Sequence, residues 1–531
     1  MLDRTSEAAA NATSYWLAGM TPAPAPPFRG TARADVVIVG GGFTGLWTAL
    51  RLTDTDPSLR VVVLEQAHVG FGASGRNGGF CEASLTHGRA NGERHHPDEV
   101  ELLDRLGREN LQELIAFTRT HRVDCDLEET GMLTVAAQAY QVKELRAWVD
   151  EDEARAPASR EGRIFLDRAA VQAEVHSPHW QAGVMVGPQQ TVLLDPARLC
   201  LGLARVARQR GIQINESTRV TGLERTQGAV RVRTTAWSAA RDEPFDLARR
   251  IGLPFGTAAV AGGRARARGN GSTADRADRA DRAGAGDAPG AGDAPNAADG
   301  SILADHVVIA TSAYSGWYPR LNPLFVPVYD YVLVSEPLTP EQRLSIGWRG
   351  RQGMADAANQ FHYFRLTADD RILWGGYDAI YHAGNGVGPA YDRRPATFGR
   401  LERHFRTAFP QLSGLTFPYR WGGAIDTTAR FSVTVGQTMG GRVTYALGYT
   451  GLGVGASRWA AGVVRDHILR PDSDLLRLEF VRRAPFPFPP EPIRSVAVNV
   501  VRRELARADR NEGRRGIVLR TLDALGIGFD S

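Results

Sequence analysis

Three glycines near the N-terminus have the spacing of a site that binds the pyrophosphate of a dinucleotide. Gly40, Gly42 and Gly45 form GxGxxG. The first glycine permits a tight turn, the second lets a phosphate approach the backbone, and the third lets a helix pack closely on a strand. Glu65 comes twenty residues after Gly45, so its carboxylate can accept hydrogen bonds from ribose hydroxyls. The binding residues predicted from this unit are Gly40, Gly42, Phe43, Thr44, Gly45, Glu65 and Gln66.

A second glycine-rich stretch, FGASGRNGGF at 71–80, favours FAD over NAD as the dinucleotide. It directly follows the second strand of the unit, where the pyrophosphate and ring of a flavin would run. Its bare N–H groups can bind phosphate and the ring edge, Arg76 can offset negative charge near the pyrophosphate or flavin N1, and Asn77 can hydrogen-bond. The predicted contacts are Ala73, Ser74, Arg76, Asn77, Gly78 and Gly79.

A third glycine turn, GYTGLGVG at 448–455, opens a helix near the C-terminus. The free N–H groups and the positive dipole end of that helix can face the flavin pyrimidine carbonyls and stabilise an anionic reduced ring. The contacts predicted here are Gly451, Leu452, Gly453 and Val454. Val220 and Thr311 complete the predicted cofactor-binding set.

The elements that must position these residues follow from hydrophobic patterning. DVVIV is an apolar, β-branched run of strand length, FTGLWTALRL has helical spacing, and RVVVLEQ is a second strand, which together make a β-α-β unit. A long helix is predicted over 98–120, and another helix begins at Asp195-Pro196 with the acid as cap. Further strands are predicted over 131–138, 302–316, 329–338 and 360–378, and a strand, turn and helix over 442–464.

Taken in order, these pieces resemble the D-amino-acid-oxidase-like FAD-dependent oxidoreductases, the DAO family. The likeness covers roughly residues 30–470, and SYWLAG and GASGRNGGF are most similar to the gamma-glutamylputrescine oxidase-like branch. Its other marks are VVIVGGGFTGLWTALRL, VLEQ, VVIATSAY, YFRLTADDRILWGG and GYTGLGVG.

The resemblance implies an α/β fold (α+β overall): a Rossmann-type FAD-binding domain and a second, mixed-sheet substrate domain, discontinuous in sequence. The FAD-binding domain is expected over 31–95, 190–236, 301–320 and 425–470, and the substrate domain over 96–189 and 321–424. Residues 237–300 contain ADRADRADRAGAGDAP and are predicted to be a disordered low-complexity insertion, because such a composition buries little apolar surface. Residues 471–531 are expected to form a C-terminal helical extension.

The activity that the resemblance implies is oxidation of a primary or secondary amine. Hydride passes from the amine-bearing carbon to flavin N5, the imine is hydrolysed, and O2 reoxidises the flavin to give H2O2. An amine or amino-acid dehydrogenase or N-demethylase with another acceptor remains an alternative, as does a catalytically silent FAD-binding subunit.

On the substrate side, Tyr363 in FHYFRL stands where amino-acid oxidases of the family carry an active-site tyrosine. Strand alternation places Arg365 on the same face, and both are predicted catalytic residues. Gly423 and Ala424 stand where those oxidases place a carboxylate-binding arginine, which favours an amine over an α-amino acid. RILWGG lacks the flavin-facing lysine of sarcosine-type oxidases, and GYTGLGVG has no neighbouring cysteine, so FAD is expected to be non-covalent.

Composition excludes several other classes of protein. Net charge is +4 and 43% of the residues are hydrophobic, without a basic block interleaved with aromatics, so nucleic acid is not an expected partner. The three scattered cysteines favour a reducing cytoplasm and give no metal site. The sequence has neither an apolar run of membrane-spanning length nor a secretory signal pattern. Membrane contact is therefore not expected, although the arginine-rich helix of the tail leaves surface binding as an alternative.

Overall fold

The computed structural model describes residues 14–18, 20, 25–238 and 299–524. Most of the predicted insertion, residues 239–298, lies outside the described residues, and its disorder stays a prediction. No helix in these ranges is both long and apolar enough to cross a membrane.

Strands and helices are distributed along the whole of the described chain, with several runs of consecutive strands. The strands are β1 Gly30–Val39, β2 Val61–Leu64, β3 Phe80–Glu82, β4 Met132–Ala136, β5 Ile164–Leu166, β6 Ala182–Val186, β7 Thr191–Leu193, β8 Gln213–Asn215, β9 Thr218–Arg225, β10 Val230–Ala236, β11 Asp299–Ile309, β12 Val326–Val334, β13 Gly353–Asp356, β14 His362–Leu366, β15 Ile372–Gly376, β16 Ile380–Tyr381, β17 Tyr419–Thr427, β18 Thr434–Thr438 and β19 Val443–Leu447. The helices are α1 Phe43–Thr55, α2 Arg89–His95, α3 Val100–Thr120, α4 Ala139–Ala154, α5 Arg168–Glu174, α6 Pro196–Gln209, α7 Pro340–Ile346, α8 Pro395–Ala408, α9 Gly453–Leu469, α10 Glu479–Arg482, α11 Ile493–Arg510 and α12 Ile517–Ala524.

The first large sheet is the expected Rossmann-type sheet. Its order is β18-β19-β11-β1-β2-β8, and β19, β11, β1, β2 and β8 run parallel to their neighbours. The central run VVIV of β1 is buried on both faces, as expected for a parallel strand covered on each side. The antiparallel strands β9 and β10 continue from the first half of β11. Within β10 and β11, Thr235 lies directly opposite Asp299.

Helices α1, α3, α6 and α9 cover one face of this sheet in a common apolar core. Helix α3 falls within 96–189, the range predicted for the substrate domain, and it packs in this core. Leu103, Leu111 and Leu114 of α3 are fully buried in this core, and the Phe117 ring packs edge-on against Trp47 of α1 at 4.7 Å. The apolar face of α3 is therefore buried against the other helices that cover the first sheet.

The second large sheet is mixed, as expected for the substrate domain. Its order is β16-β12-β15-β14-β13-β4-β6-β5, with β17 paired to β12. The β13–β4 pair is parallel, whereas β12–β15, β14–β15 and β12–β17 are antiparallel. Helix α8 covers one face, where Phe405 packs against Trp374 of β15. The opposite face is turned toward the first sheet.

The C-terminal helix α11 lies on the body of the protein with a different face from the one that its pattern predicts. The helical pattern places Ile493, Ala497, Val500, Val501 and Leu505 on one apolar face and predicts that this face lies on the body, but Ile493, Ala497 and Val500 are exposed. Val501 and Leu505 of the same predicted face do turn inward. The pattern was misleading because the inward side of this helix also carries charged residues.

Candidate active site

A cavity of about 1690 Å³ lies between the two large sheets and is lined by residues of both. The nucleotide side contributes the turn after β1, the end of β2 and the glycine stretch 71–80. The other side contributes β12, β14 and β17. Such a concave site at the carboxyl ends of parallel strands is where open α/β sheets bind their ligands.

The glycines of the first turn are required by close backbone approaches. Gly40 has φ +114°, and a Cβ there would lie 2.5 Å from the Ala310 carbonyl oxygen. A Cβ on Gly45 would lie 1.9 Å from the Gly40 carbonyl oxygen, so α1 can pack against β1 only with glycine at that position. A Cβ on Gly42 would lie 2.8 Å from Ser74 Oγ, which would crowd the junction between the two glycine segments.

Glu65 is held by the backbone at the end of β2. Its Oε2 accepts a hydrogen bond from Gly41 N at 2.7 Å and its Oε1 accepts one from Ala67 N at 2.9 Å. Burial raises the pKa of Glu65, while these hydrogen bonds act in the opposite direction. The carboxylate faces the cavity and retains lone pairs for ribose hydroxyls.

The stretch 71–80 folds as a loop around a 3₁₀ turn at Ala73–Gly75. Ser74 Oγ accepts a hydrogen bond from Phe43 N at 2.9 Å, which joins this loop to the start of α1. Asn77 donates from Nδ2 to Ala73 O at 2.9 Å and accepts from Gly79 N at 2.9 Å. The amide of Asn77 therefore shapes the loop, and the N–H groups along the loop are left for a ligand.

Arg76 is buried at the boundary between the two sheets. Its Nη1 contacts Asp392 Oδ2 at 2.5 Å, and its Nε donates to Phe71 O at 2.9 Å. Burial raises the pKa of Asp392, and the charge of Arg76 opposes that shift. Asp392 Oδ1 is buried without a hydrogen-bond partner among the described residues. Because the Arg76 charge is already paired, its predicted action on the cofactor stays a prediction.

The third glycine turn is tied to β17 and to α1. Buried Asp426 accepts a hydrogen bond from Gly448 N at 2.6 Å, and burial raises its pKa to about 6. Thr44 of α1 donates to the Tyr449 hydroxyl at 2.7 Å. Gly451 has φ +94°, a left-handed conformation that glycine adopts at no steric cost. These contacts aim the N-terminus of α9 at the cavity.

Tyr363 lies on the cavity face of β14, as its strand alternation predicts. Its hydroxyl donates a short hydrogen bond to Asp330 Oδ2 on β12. The ring fills the space over two glycines, since a Cβ on Gly78 or on Gly375 would lie 2.6 or 2.5 Å from a Tyr363 ring carbon. Burial raises the pKa of Asp330 to about 6, although the Tyr363 hydroxyl and backbone N–H groups oppose the shift.

Arg365, the second predicted catalytic residue, lies behind the cavity wall, and its catalytic role stays a prediction. Its side chain shares the Tyr363 side of β14 but is 1% exposed and lies outside the cavity lining. Nη1 donates to Gly79 O at 3.1 Å and to Leu194 O at 2.8 Å, and burial lowers its pKa to about 10. Arg365 holds the glycine stretch against β14, which is a structural role.

The other predicted site residues converge on one cavity with two exceptions. Gly45 and Gly79 do not line it, because each is packed against backbone carbonyls. The residues that do line it are Gly40, Gly42, Phe43, Thr44, Glu65, Gln66, Ala73, Ser74, Arg76, Asn77, Gly78, Val220, Thr311, Tyr363, Gly451, Leu452, Gly453 and Val454.

Among the carboxylates of the cavity lining that sequence reasoning missed, Asp330, Asp392 and Asp426 contact the predicted site segments. A signal existed for Asp330. In VPVYDYVLV, strand alternation places Asp330 with Val328 and Val332 on the face opposite the two tyrosines. Asp392 lies in a loop, and nothing in its neighbourhood in the sequence points to Arg76, 316 residues away.

Comparison with known proteins agrees with this geometry. The model of the DAO family, FAD-dependent oxidoreductases, matches residues 35–243 and 258–467. The chain belongs to this family. The DAO chain is 26% identical over 484 residues to gamma-glutamylputrescine oxidoreductase of Escherichia coli strain K12, covering 90% of this chain and 93% of that protein. It is also 24% identical over 460 residues to the probable oxidoreductase OrdL of Haemophilus influenzae, covering 85% and 86% of the two proteins.

The same fold occurs in solved structures. Glycine oxidase of Geobacillus kaustophilus superposes with a TM-score of 0.59 at 17% identity, covering 85% of this chain and 99% of that chain. L-Proline dehydrogenase of P. horikoshii gives a TM-score of 0.58 at 16% identity, covering 85% and 96%. At these identities the likeness shows a shared fold alone.

The residues present fit FAD, the cofactor of this DAO protein. The space that a Cβ on Gly42 would fill lies beside Ser74 at the first turn of α1. The N–H groups in the first turn of a helix lack helical partners, which suits them to bind a pyrophosphate. Glu65 would hold the ribose, the stretch 71–80 would run along the flavin, and the turn 448–455 would close the far side. The fold class and the cofactor that the sequence predicts are thus confirmed.

Proposed function

We propose that the protein oxidises a primary or secondary amine at the carbon–nitrogen bond. The observation that carries the proposal is the Tyr363–Asp330 pair, which faces the cavity that also contains the nucleotide-binding turns. When bound, FAD would supply the electron chemistry, namely uptake of a hydride from the amine-bearing carbon, after which the imine would be hydrolysed by water and O2 would be reduced to H2O2.

The protein's own part is to bind the amine and accept its proton. An ammonium that donates to the Tyr363 hydroxyl oxygen is connected, through the Tyr363 O–H, to Asp330 Oδ2. Transfer of the ammonium proton to the tyrosine oxygen, with the tyrosine proton passing to Asp330, leaves a neutral amine and a neutral carboxyl group. Burial in the cavity lowers the pKa of an ammonium and favours this transfer.

An amine fits the cavity better than an α-amino acid does. Gly423 and Ala424 of β17 line the cavity, so the position of the family's carboxylate-binding arginine carries no cation. Asp330 also brings negative charge to the cavity, which attracts an ammonium group. The Escherichia coli relative is a gamma-glutamylputrescine oxidoreductase by name, which supports an amine as the substrate class.

The deciding experiment is anaerobic mixing of the yellow protein with a panel of primary and secondary amines and of α-amino acids. We expect amines to bleach the flavin absorbance and amino acids to leave it unchanged. Oxygen uptake with peroxide formation identifies O2 as the acceptor, whereas reoxidation by an artificial dye alone identifies a dehydrogenase. A protein that no amine bleaches, even with full FAD content, would contradict the proposal and favour a silent FAD-binding subunit.

We also propose the division into two discontinuous domains that the sequence indicates, with α3 moved to the FAD-binding domain. The packing of α3 on α1 and α9 supports this change. Limited proteolysis followed by mass spectrometry tests it, because α3 should stay with fragments of the FAD-binding domain.

A further inference from the structure

The tail of the chain forms part of the cavity wall, although it lies outside the family match, which ends at residue 467. Helix α11 is held at both ends by hydrogen bonds to the substrate sheet. Before the helix, Glu491 Oε1 accepts from the Tyr381 hydroxyl at 2.6 Å and from Gly384 N at 2.9 Å. Near its end, Asp509 Oδ1 accepts from Asn359 N at 2.9 Å. The middle of α11 is thereby fixed over the cavity.

The cavity side of α11 is apolar except for one cation. Val498, Val501 and Leu505 line the cavity together with Arg502. The next residue, Arg503, is exposed on the outer side of the helix. Arg502 is therefore placed where a substrate would meet it, and Arg503 is not.

Arg502 has no carboxylate within 4.0 Å among the residues that the structure describes; its hydrogen bond there is to Asn499 Oδ1 at 3.4 Å. Asp378, also in the cavity lining, is already bound by Arg400 at 2.5 Å and by Thr397 at 2.6 Å. Burial lowers the pKa of Arg502, and the neighbouring Arg394 and Arg400 lower it further against the opposing charge of Asp378.

Asp378 is shared between Arg394 at 3.4 Å and Arg400 at 2.5 Å, and neither of these arginines lines the cavity. Arg502 faces the cavity without a carboxylate partner among the described residues. A carboxylate on a bound ligand would pair with Arg502, because a guanidinium binds a carboxylate with two parallel hydrogen bonds.

The Tyr363–Asp330 pair, to which the reacting amine is assigned, is connected to Asp378 through a short piece of chain. Gly376 N donates a hydrogen bond to Asp330, and Asp378 lies two residues further on, within about 7 Å along the backbone. The cavity thus has a carboxylate toward one end and an unpaired cation toward the other.

We propose that Arg502 is a specificity residue that binds a carboxylate at the end of the substrate remote from the reacting amine. This rests on the proposed amine oxidation, since the reacting amine is assigned to the Tyr363–Asp330 end. The substrate class is therefore an amine that also carries a distal carboxylate. Opposite charges at the two ends of the cavity orient such a molecule with its amine toward Tyr363.

The test compares ω-amino acids with their amides, from four to seven carbons, as probes of the FAD-loaded protein. Calorimetry measures binding, and anaerobic bleaching measures the reaction. At the chain length that fits, the acid should bind at least about tenfold more tightly than the amide. Arg502→Gln should abolish this preference, and Arg503→Gln, the matched control on the outer side of the helix, should retain it.

Two results would overturn the proposal: equal binding of acid and amide by the wild-type protein at every length, or a preference that survives Arg502→Gln. Binding is read without turnover, so the two proposals can fail separately. A preference that depends on Arg502 without bleaching by any amine contradicts the amine oxidation alone. Bleaching by amines without a preference for the acids contradicts the role of Arg502 alone.

Discussion

Tyr363 reaches Asp330 because Gly375 leaves free the space between them. Gly375 pairs with Tyr363 on one side and with Val332 on the other, and a Cβ at this position would lie 2.6 Å from the Tyr363 hydroxyl. The Tyr363 ring therefore extends across β15, the strand between β14 and β12, and its hydroxyl reaches Asp330 of β12. One small residue in RILWGG thus determines which carboxylate the tyrosine contacts.

Asp330 gives the reaction a predicted dependence on pH. Because burial raises its pKa to about 6, the carboxylate that accepts the proton is formed as pH rises through 6 and lost below it. The rate of anaerobic flavin reduction per unit of substrate should rise with a midpoint near pH 6 in the wild type. Asp330→Asn should remove that rise, which stopped-flow absorbance from pH 5 to 9 would measure. A rise of unchanged midpoint in the variant would show that another group titrates.

The hydroxyl of Tyr363 should matter for substrate and not for FAD. Tyr363→Phe keeps the ring over Gly78 and Gly375 and removes the hydroxyl that bonds to the Asp330 carboxylate, a bond to a charged group worth about 1.5–3 kcal/mol. We expect normal FAD content and a loss of about ten- to a hundredfold in the rate of flavin reduction at limiting substrate. An unchanged rate would show that the tyrosine only packs, and a loss of FAD would show that β14 supports the cofactor.

Gly42 should be essential for binding FAD. Gly42→Val places a branched side chain against Ser74, whose hydroxyl accepts from Phe43 N at the start of α1. We expect a folded protein without flavin absorbance. Gly222→Val is the matched control, since no atom lies within 4 Å of a Cβ at Gly222 on β9. In the control, acid precipitation should release all the flavin into solution, and flavin that stays with the protein would contradict non-covalent binding.

At the scale of an element, the junction of β1 and α1 depends on Gly45. Gly45→Ala puts a methyl group where the Gly40 carbonyl oxygen lies 1.9 Å away, so the helix must move off the strand. We expect a loss of about 1–3 kcal/mol in the free energy of unfolding, typical of overpacking, measured by urea denaturation. The same substitution at Gly462, inside α9, meets no atom within 4 Å. It should be neutral or stabilise by up to about 1 kcal/mol.

The elements that were predicted correctly are those with a strong local signal. The helix begun by Asp195-Pro196 is α6, where Asp195 accepts from Ala197 N and Arg198 N at 3.0 Å. The buried run of β1 and the alternation of β14 were equally readable. For α11 the local signal failed, because the helix is held by Glu491 and Asp509 through partners more than 100 residues away.

The same distinction separates the predicted from the missed site residues. Glycine turns can be recognised within ten residues of sequence, because backbone geometry dictates their composition. The partners of Arg76, Arg365 and Tyr363 lie 316, 286 and 33 residues away in the chain. The first two pairings depend on how the glycine stretch packs against the second sheet, and the third depends on the order of strands within that sheet. A single sequence carries no record of either.

At the scale of the whole molecule, the long segment between β10 and β11 should be dispensable. Thr235 and Asp299 are already paired across an antiparallel hairpin, so a short loop can join them. Replacing residues 239–298 by two glycines should leave FAD content unchanged. Loop shortening should raise the free energy of unfolding by about 2 kcal/mol, at about 0.6 kcal/mol per halving of length. A melting temperature lowered by many degrees would show that the segment contributes to the fold.

The hydrogen bond from Thr44 to Tyr449 joins residues that are 405 positions apart. During synthesis, Thr44 is therefore made long before its partner. A ribosome adding about 5–20 residues per second needs roughly 20–80 s to pass from one to the other. Throughout that interval the nascent β1–α1 unit lacks β19 and α9, so the apolar side of α1 and, once β11 has been made, one edge of β11 have no partners. Flavin capture is therefore a late event in the synthesis of each chain.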